Sequence, residues 1–267
     1  MGSEIDIEAI IRKRAGRKAK FIPRFIYTWL KGFIHQDFIN TYLRQGREGV
    51  DFCQGVLDYL GVTVEVEGEE NLPSDEWGYC TFVSNHPLGA IDGVTLGALL
   101  GHRYNGRVKY LVNDFLMNLQ GLAPLCVPVN KVGAQSRNLP QMVECAFSGE
   151  NHVIMFPAGL CSRKIDGRIQ DLPWQKTFVV KSRKHRRDIV PIHFYGENSR
   201  RFYRVATMCR MLRLPNFAMA LLPDEMYRSQ GRHYRVVIGK PIPWQSLNKG
   251  KTPMEWAELI REKVYEL

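Results

Sequence analysis

From residue 61 onward, short β-prone runs alternate with stretches of helical periodicity, and this alternation limits the possible folds more than any other feature of the chain. "VTVEVEG" alternates apolar and polar residues as a half-buried strand does. "YCTFVSN", "RVKYLV", "CVPVN", "HVIMFP", "DIVPIHFYG" and "YRVVIGKPI" are further short strand candidates. Helices are expected over residues 88–101, 134–148, 173–185, 197–212 and 253–266. Strands of buried type separated by helices predict an α/β fold with a largely parallel central sheet flanked by helices. In such sheets ligands gather where strands end and helices begin, so those junctions are where chemistry is sought.

One junction stands out. In "FVSNHPLGAIDGVTLG", residues 82 to 97, an apolar run stops at a His-Pro turn and an Asp follows six positions after the His. His86 would emerge at a strand's carboxyl end, Pro87 and Gly89 suit a tight turn, and Asp92 falls at the start of the next helix. A carboxylate folded back onto the imidazole would fix its tautomer and leave the other ring nitrogen as a general base. The group giving up its proton would then belong to the substrate, an alcohol for example. The competing reading is a satisfied turn, with Asp92 a helix cap and His86 packed by chance. A metal pair is weaker, because no third ligand lies at suitable spacing.

Two more junctions follow. "NHVIMFPAGLCSRKIDGRIQDLPWQKTF" begins as a buried strand, breaks at Phe156-Pro157 and enters a Gly-bearing loop with Arg163, Lys164 and Lys176. Backbone N–H groups and cations after a strand can hold a phosphate or carboxylate. "LCVPVNK" ends in Asn130 and Lys131. Taken alone, each is equally a strand–loop junction with solvated bases.

The formal charge of +10 calls for a negative partner, and nucleic acid, anionic lipid and an acidic carrier protein all qualify. Residues 12 to 31 carry eight Lys or Arg and no acid. After Pro23, apolar residues recur at helical spacing (Phe25, Ile26, Trp29, Leu30, Phe33, Ile34), as on an interfacial membrane helix or on an ordinary helix with a solvated basic face. "KSRKHRRD", residues 181 to 188, is either a docking patch for a carrier or a solvated helix end. The six cysteines form no CxxC pair and read as reduced core thiols. No signal peptide is visible and no apolar run is long enough to span a bilayer, so an intracellular protein is expected.

Taken in order, "SNHPLGAID", "VPVNK", "FPAGLCSR", "IVPIHFYG" and "IGKPI" resemble the glycerolipid (lysophospholipid) acyltransferase superfamily over roughly residues 60 to 242. With "YGENSRRFYRVA" and "LLPDEMY", they resemble a bacterial branch labelled hemolysin or glycerol acyltransferase, with relatives that acylate amino-acid lipids on the hydroxyl of a 3-hydroxyacyl chain. The resemblance implies acyl transfer from an acyl carrier protein or coenzyme A thioester to a lipid hydroxyl, in membrane lipid biosynthesis, without metal or other cofactor. It implies that His86 is the general base and Asp92 its orienting partner, with Phe156, Pro157 and Gly159 at the acceptor and Arg163 as an anion ligand. Asn85, Gly89, Asn130, Lys131 and Lys176 complete the expected substrate contacts. Residues 1–60 are expected to form a basic amphipathic helical segment on anionic lipid and residues 61–267 the catalytic domain, peripheral or monotopic at the cytoplasmic face of the inner membrane.

Departures from the family pattern accompany these matches. The loop is His-x5-Asp where His-x4-Asp is usual, and Ala158, Leu160 and Cys161 replace the usual Glu, Thr and Arg. These changes touch glycerol phosphate recognition and leave the base chemistry intact. A catalytically silent lipid-binding member is the alternative within the superfamily. A nucleic-acid-binding protein is the alternative outside it, though no such motif is present and no nucleic acid is expected as partner.

Overall fold

A computed structural model of the protein describes residues 4–74, 77–111, 120–127, 139–248 and 250–267. Among them the chain forms strands β1 (Thr63–Glu67), β2 (Thr81–Ser84), β3 (Val108–Tyr110), β4 (His152–Met155), β7 (Ile189–Tyr195) and β8 (His233–Ile238) of one sheet, in the order β1-β8-β7-β2-β4-β3. All its pairings are parallel except β7 with β8, so the sheet is largely parallel, as the strand–helix alternation predicts.

The burial pattern follows from position in the sheet. β2 is buried at all four residues because it lies between β4 and β7 with helices on both faces. Its successive side chains enter different cores. Phe82 packs with α4 (Gly49–Leu60) and α5 (Ile91–Arg103) through Phe52, Val56, Leu96 and Leu100. Val83 packs with α7 (Thr177–Lys184) and α10 (Pro253–Glu266) through Phe178, Val179, Ile260 and Val264. β1, at the sheet's edge, instead alternates exposed and half-buried residues. Of the remaining helices, α6 (Leu139–Ser148) runs between β3 and β4, while α8 (Arg200–Met211) and α9 (Leu222–Tyr227) lie between β7 and β8.

One feature differs from expectation. Residues 163–170 form a hairpin, β5 (Arg163–Ile165) with β6 (Arg168–Gln170), where a loop was expected. Its turn is Asp166-Gly167, both at positive φ (49° and 82°), the chemistry that two-residue hairpins favour. Residues 4–60 form the helices α1 (Ile7–Ala15), α2 (Arg24–Phe33), α3 (Gln36–Leu43) and α4, and α4 with Tyr42 and Leu43 of α3 belongs to the main core. His35, at the α2–α3 corner, locks this unit to α9: its Nε2 lies 2.8 Å from Asp224 Oδ1 and its ring stacks on Tyr227 at 3.7 Å. On α2 Tyr27 is buried, while Phe25 and Trp29 are 71% and 62% exposed. No described helix is long and apolar enough to cross a membrane.

Candidate active site

β2 has β4 on one side and β7 on the other, and all three run parallel, so their carboxyl ends open on one edge of the sheet. This is the crevice where α/β sheets bind ligands. Each strand end contributes a piece: the His86 loop after β2, the Phe156–Arg163 loop after β4, and Asn198 after β7.

The loop after β2 brings His86 and Asp92 together, with Nδ1 of His86 3.0 Å from Oδ2 of Asp92. Asp92 is fully buried, and its carboxylate also accepts from the N–H groups of Leu88 (2.9 Å), Gly89 (3.1 Å) and Gly93 (2.9 Å). That loop geometry needs Gly89, whose φ is +79°. A Cβ built there would stand 2.3 Å from the Cys161 sulfur, so conformation and space both require glycine. The Gly89 N–H, expected at the substrate, is engaged with Asp92.

Burial alone would depress the His86 pKa, but the charge and hydrogen bond of Asp92 outweigh it and hold the imidazole above its ordinary value. Burial likewise works against ionised Asp92, and His86 with the backbone donors outweighs it, holding the carboxyl below its usual range. With Nδ1 facing a carboxylate, the ring proton belongs on Nδ1 and the Nε2 lone pair stays free. Nε2 has no hydrogen-bond partner among the described residues. Phe156 stacks on the imidazole at 4.1 Å between centroids and restricts ring rotation.

Asn85 is placed otherwise than expected. Its side-chain amide donates to the Phe194 carbonyl (2.9 Å) and accepts from the Phe194 N–H (2.7 Å), splicing the end of β2 to β7 in place of backbone. Arg163 is buried, donates to the carbonyls of Cys161 (2.7 Å) and Ser162 (3.2 Å), and lies over the Phe202 ring. Its charge opposes protonation of His86. Pro157 and Gly159 join Phe156 in lining an apolar cavity of about 230 Å³, whose described walls include Tyr110, Val127 and Met142. Lys176 is exposed at the start of α7 and makes no contact with the dyad. Asn130 and Lys131 lie outside the described residues. Among those residues, no group of three or more His, Cys, Asp and Glu side chains is placed to hold a metal ion.

Two anchors escaped the sequence reading. Asp171, buried, accepts from the His86 N–H (3.2 Å), the Ser162 hydroxyl (2.6 Å) and the Trp174 indole (2.9 Å), tying the His86 loop to the stretch that follows β4. Asn198 donates to the carbonyls of Pro87 (3.1 Å) and Leu88 (3.3 Å). Asp171 lies in the stretch that follows Phe156-Pro157 and Asn198 in "YGENSRRFYRVA", but nothing in either stretch set that residue apart as a loop anchor. The 181–188 cluster is used inside the protein. Lys181, Lys184 and His185 converge on Glu144, and Arg187 donates to the carbonyls of Phe147 and Gly149 (2.8 and 2.7 Å) and to that of Asn151. Of the cysteines read as core thiols, Cys145 is exposed and the other five are buried.

A solved structure of the 1-acyl-sn-glycerophosphate acyltransferase PlsC from Thermotoga maritima matches 89% of this chain and 88% of its own, at 16% identity and a TM-score of 0.47. A lyso-glycine lipid O-acyltransferase of Phocaeicola vulgatus is 53% identical over 266 residues, 98% of this chain and 95% of that protein. One of the same name from Bacteroides thetaiotaomicron is 51% identical, covering 98% and 97%. The family profile described as Acyltransferase matches residues 9–267. By the family profile and the two relatives, the chain belongs to the acyltransferase family, and it is an O-acyltransferase acting in lipid chemistry.

Proposed function

We propose that the protein transfers a fatty acyl group from an acyl carrier protein or coenzyme A thioester to the hydroxyl of a lyso-glycine lipid. His86 serves as general base and Asp92 orients it. The observation that supports this most directly is the imidazole whose Nδ1 is held by a buried carboxylate while Nε2 is left without a partner. Nε2 takes the hydroxyl proton as the oxygen attacks the thioester carbonyl. A carbon–oxygen bond forms, the carbon–sulfur bond breaks, and the proton passes from the imidazolium to the leaving thiolate. Asp92 stabilises the imidazolium in between. Because the Leu88 and Gly89 N–H groups serve Asp92, a basic side chain meets the developing oxyanion, and Arg163, whose charge already bears on His86, is the candidate. The apolar cavity beside Phe156 takes part of an acyl chain.

The relatives' shared name supports the acceptor. So does Cys161, buried where the family's phosphate-binding Arg is usual. The exposed Phe21, Phe25 and Trp29, set among Lys and Arg, support a peripheral position on anionic lipid, with residues 1–60 as the membrane-associating part. The cytoplasmic face of the inner membrane is where such an enzyme would meet its thioester donors.

The test is thiol release from both donors, with lyso-glycine lipid or lysophosphatidic acid as acceptor. Wild type should favour lyso-glycine lipid, and His86→Ala should lose on the order of 10³-fold or more in kcat. Thioester consumption with neither acceptor would mark a silent lipid-binding protein. A His86→Ala variant with most of its rate intact would remove the imidazole from the mechanism.

A further inference from the structure

A second cavity, of about 730 Å³, lies between the β5–β6 hairpin and α8, on the α8 side of the His86 loop. It is joined to that loop through Asn198, which lines the cavity and donates to the Pro87 and Leu88 carbonyls. Three cations line it, Lys164 of β5 and Arg200 and Arg204 of α8, against one carboxylate, Glu197. None of the three cations forms an ion pair with a described residue. The placement of Arg200, at the start of α8, runs against helix electrostatics, since the carboxylate seated on that helix end, Glu225, is taken by the N–H and hydroxyl of Ser199. The first turn of α8 carries no acid, and cations at a helix N-terminus are disfavoured by the macrodipole. Arg201, next in sequence, is paired with Asp224, whereas Arg200 and Arg204 form no ion pair with a described residue. At its other end the cavity is walled by Met208, Met211 and Leu212, which are 51%, 75% and 62% exposed. One end thus suits an anion and the other an alkyl chain entering from an apolar surface.

We infer that this cavity is the acceptor subsite: Lys164, Arg200 and Arg204 take the acceptor's single anionic carboxylate, and the methionine end admits its chain. The inference rests on the acceptor proposed above. A glycine acylated on nitrogen keeps its carboxylate and carries no phosphate, so a shallow set of flexible cations suits it. The two cavities then serve the two substrates: the one lined by Phe156, Pro157 and Gly159, expected at the acceptor, takes the donor acyl chain instead, and this one takes the acceptor, with the His86 loop between them. All three cations are exposed, so replacing them disturbs no core.

The test compares an N-(3-hydroxyacyl)glycine with its uncharged carboxamide, using one thioester donor. Wild type should prefer the carboxylate in kcat/KM. Arg200→Gln with Arg204→Gln should reduce that preference at least ~10-fold, mainly through the acceptor KM. Arg204→Glu should reduce it further, and Arg204→Lys should restore most of it. An unchanged carboxylate-to-carboxamide ratio in the double variant, with wild type active on the glycine lipid, would overturn the subsite and leave the acceptor reading standing. No transfer to the glycine lipid by wild type, with transfer to lysophosphatidic acid, would overturn the acceptor reading and the subsite with it.

Discussion

At the scale of single residues the site depends on one loop in which every polar group has an assignment. Asp92 holds His86 and three backbone N–H groups at once, so its removal disturbs both the base and the loop. The base works only when neutral, and Asp92 raises its pKa against burial. Activity is therefore lost as pH falls through a value above the ordinary histidine range of about 6.5. In Asp92→Asn the charge is gone and burial prevails, so the acid limb of kcat/KM should move to lower pH while kcat drops by roughly 10²–10⁴-fold. A pH–rate profile of both proteins checks this, and a limb that stays in place would exclude His86 as the titrating base. Gly89→Ala should cost about 1–2 kcal/mol from its left-handed backbone alone, with the Cys161 contact adding to that. Denaturant melts of Gly89→Ala, Cys161→Ala and the double variant separate the two costs, because only the contact part is recovered in the pair.

At the scale of elements, three parallel strand ends are tied together by side chains where the backbone ladder runs out. Asn85 extends the β2–β7 pairing by one step, Asn198 holds the His86 loop from the β7 side, and Asp171 holds it from the stretch that follows β4. Asp171→Ala leaves the His86 N–H, the Ser162 hydroxyl and the Trp174 indole without their acceptor. At about 1–3 kcal/mol for each buried donor, a loss of about 3 kcal/mol or more is expected. Hydrogen exchange at the Leu88 and Gly89 amides should accelerate well beyond the change in global stability. Equal protection in variant and wild type would show that Asp171 does not position this loop. The hairpin β5–β6 belongs to the same scale: it places Arg163 toward the core and Lys164 toward the second cavity, as neighbours on a strand face opposite ways.

At the scale of the whole molecule, the N-terminal helices are fastened to the catalytic layers by α4 in the core and by the His35–Asp224 contact. Among the described residues this leaves one face of α2 uncovered, with Phe25 and Trp29 outward. Phe25→Ser with Trp29→Ser should weaken binding to vesicles containing anionic lipid by about tenfold or more, while transfer to a detergent-dispersed acceptor persists. Co-sedimentation measures the first and the thiol assay the second; unchanged vesicle binding would remove α2 from the membrane contact. Most of the order of strands and helices after residue 61, the buried character of β2 and the His86–Asp92 pair were legible in the sequence; α9 was not, and of the expected "CVPVN" strand Cys126 makes an isolated bridge to Tyr110 while residues 128–130 lie outside the described residues. The legible features depend on local periodicity and on groups six residues apart, which one turn can bring together. The hairpin at Asp166-Gly167 was legible too, but its strands are only three residues each and were masked by the basic loop around them. What only the tertiary structure decided was the use of each polar group: Asn85 for β7, the Gly89 N–H for Asp92, and the 181–188 cations for Glu144 and the end of α6. It also decided which cations beside the site form no ion pair with a described residue. Except for Gly89 and Asp92, three residues apart, these assignments join partners tens of residues away, whose distance is set by packing of the layers and leaves no periodic trace in the chain.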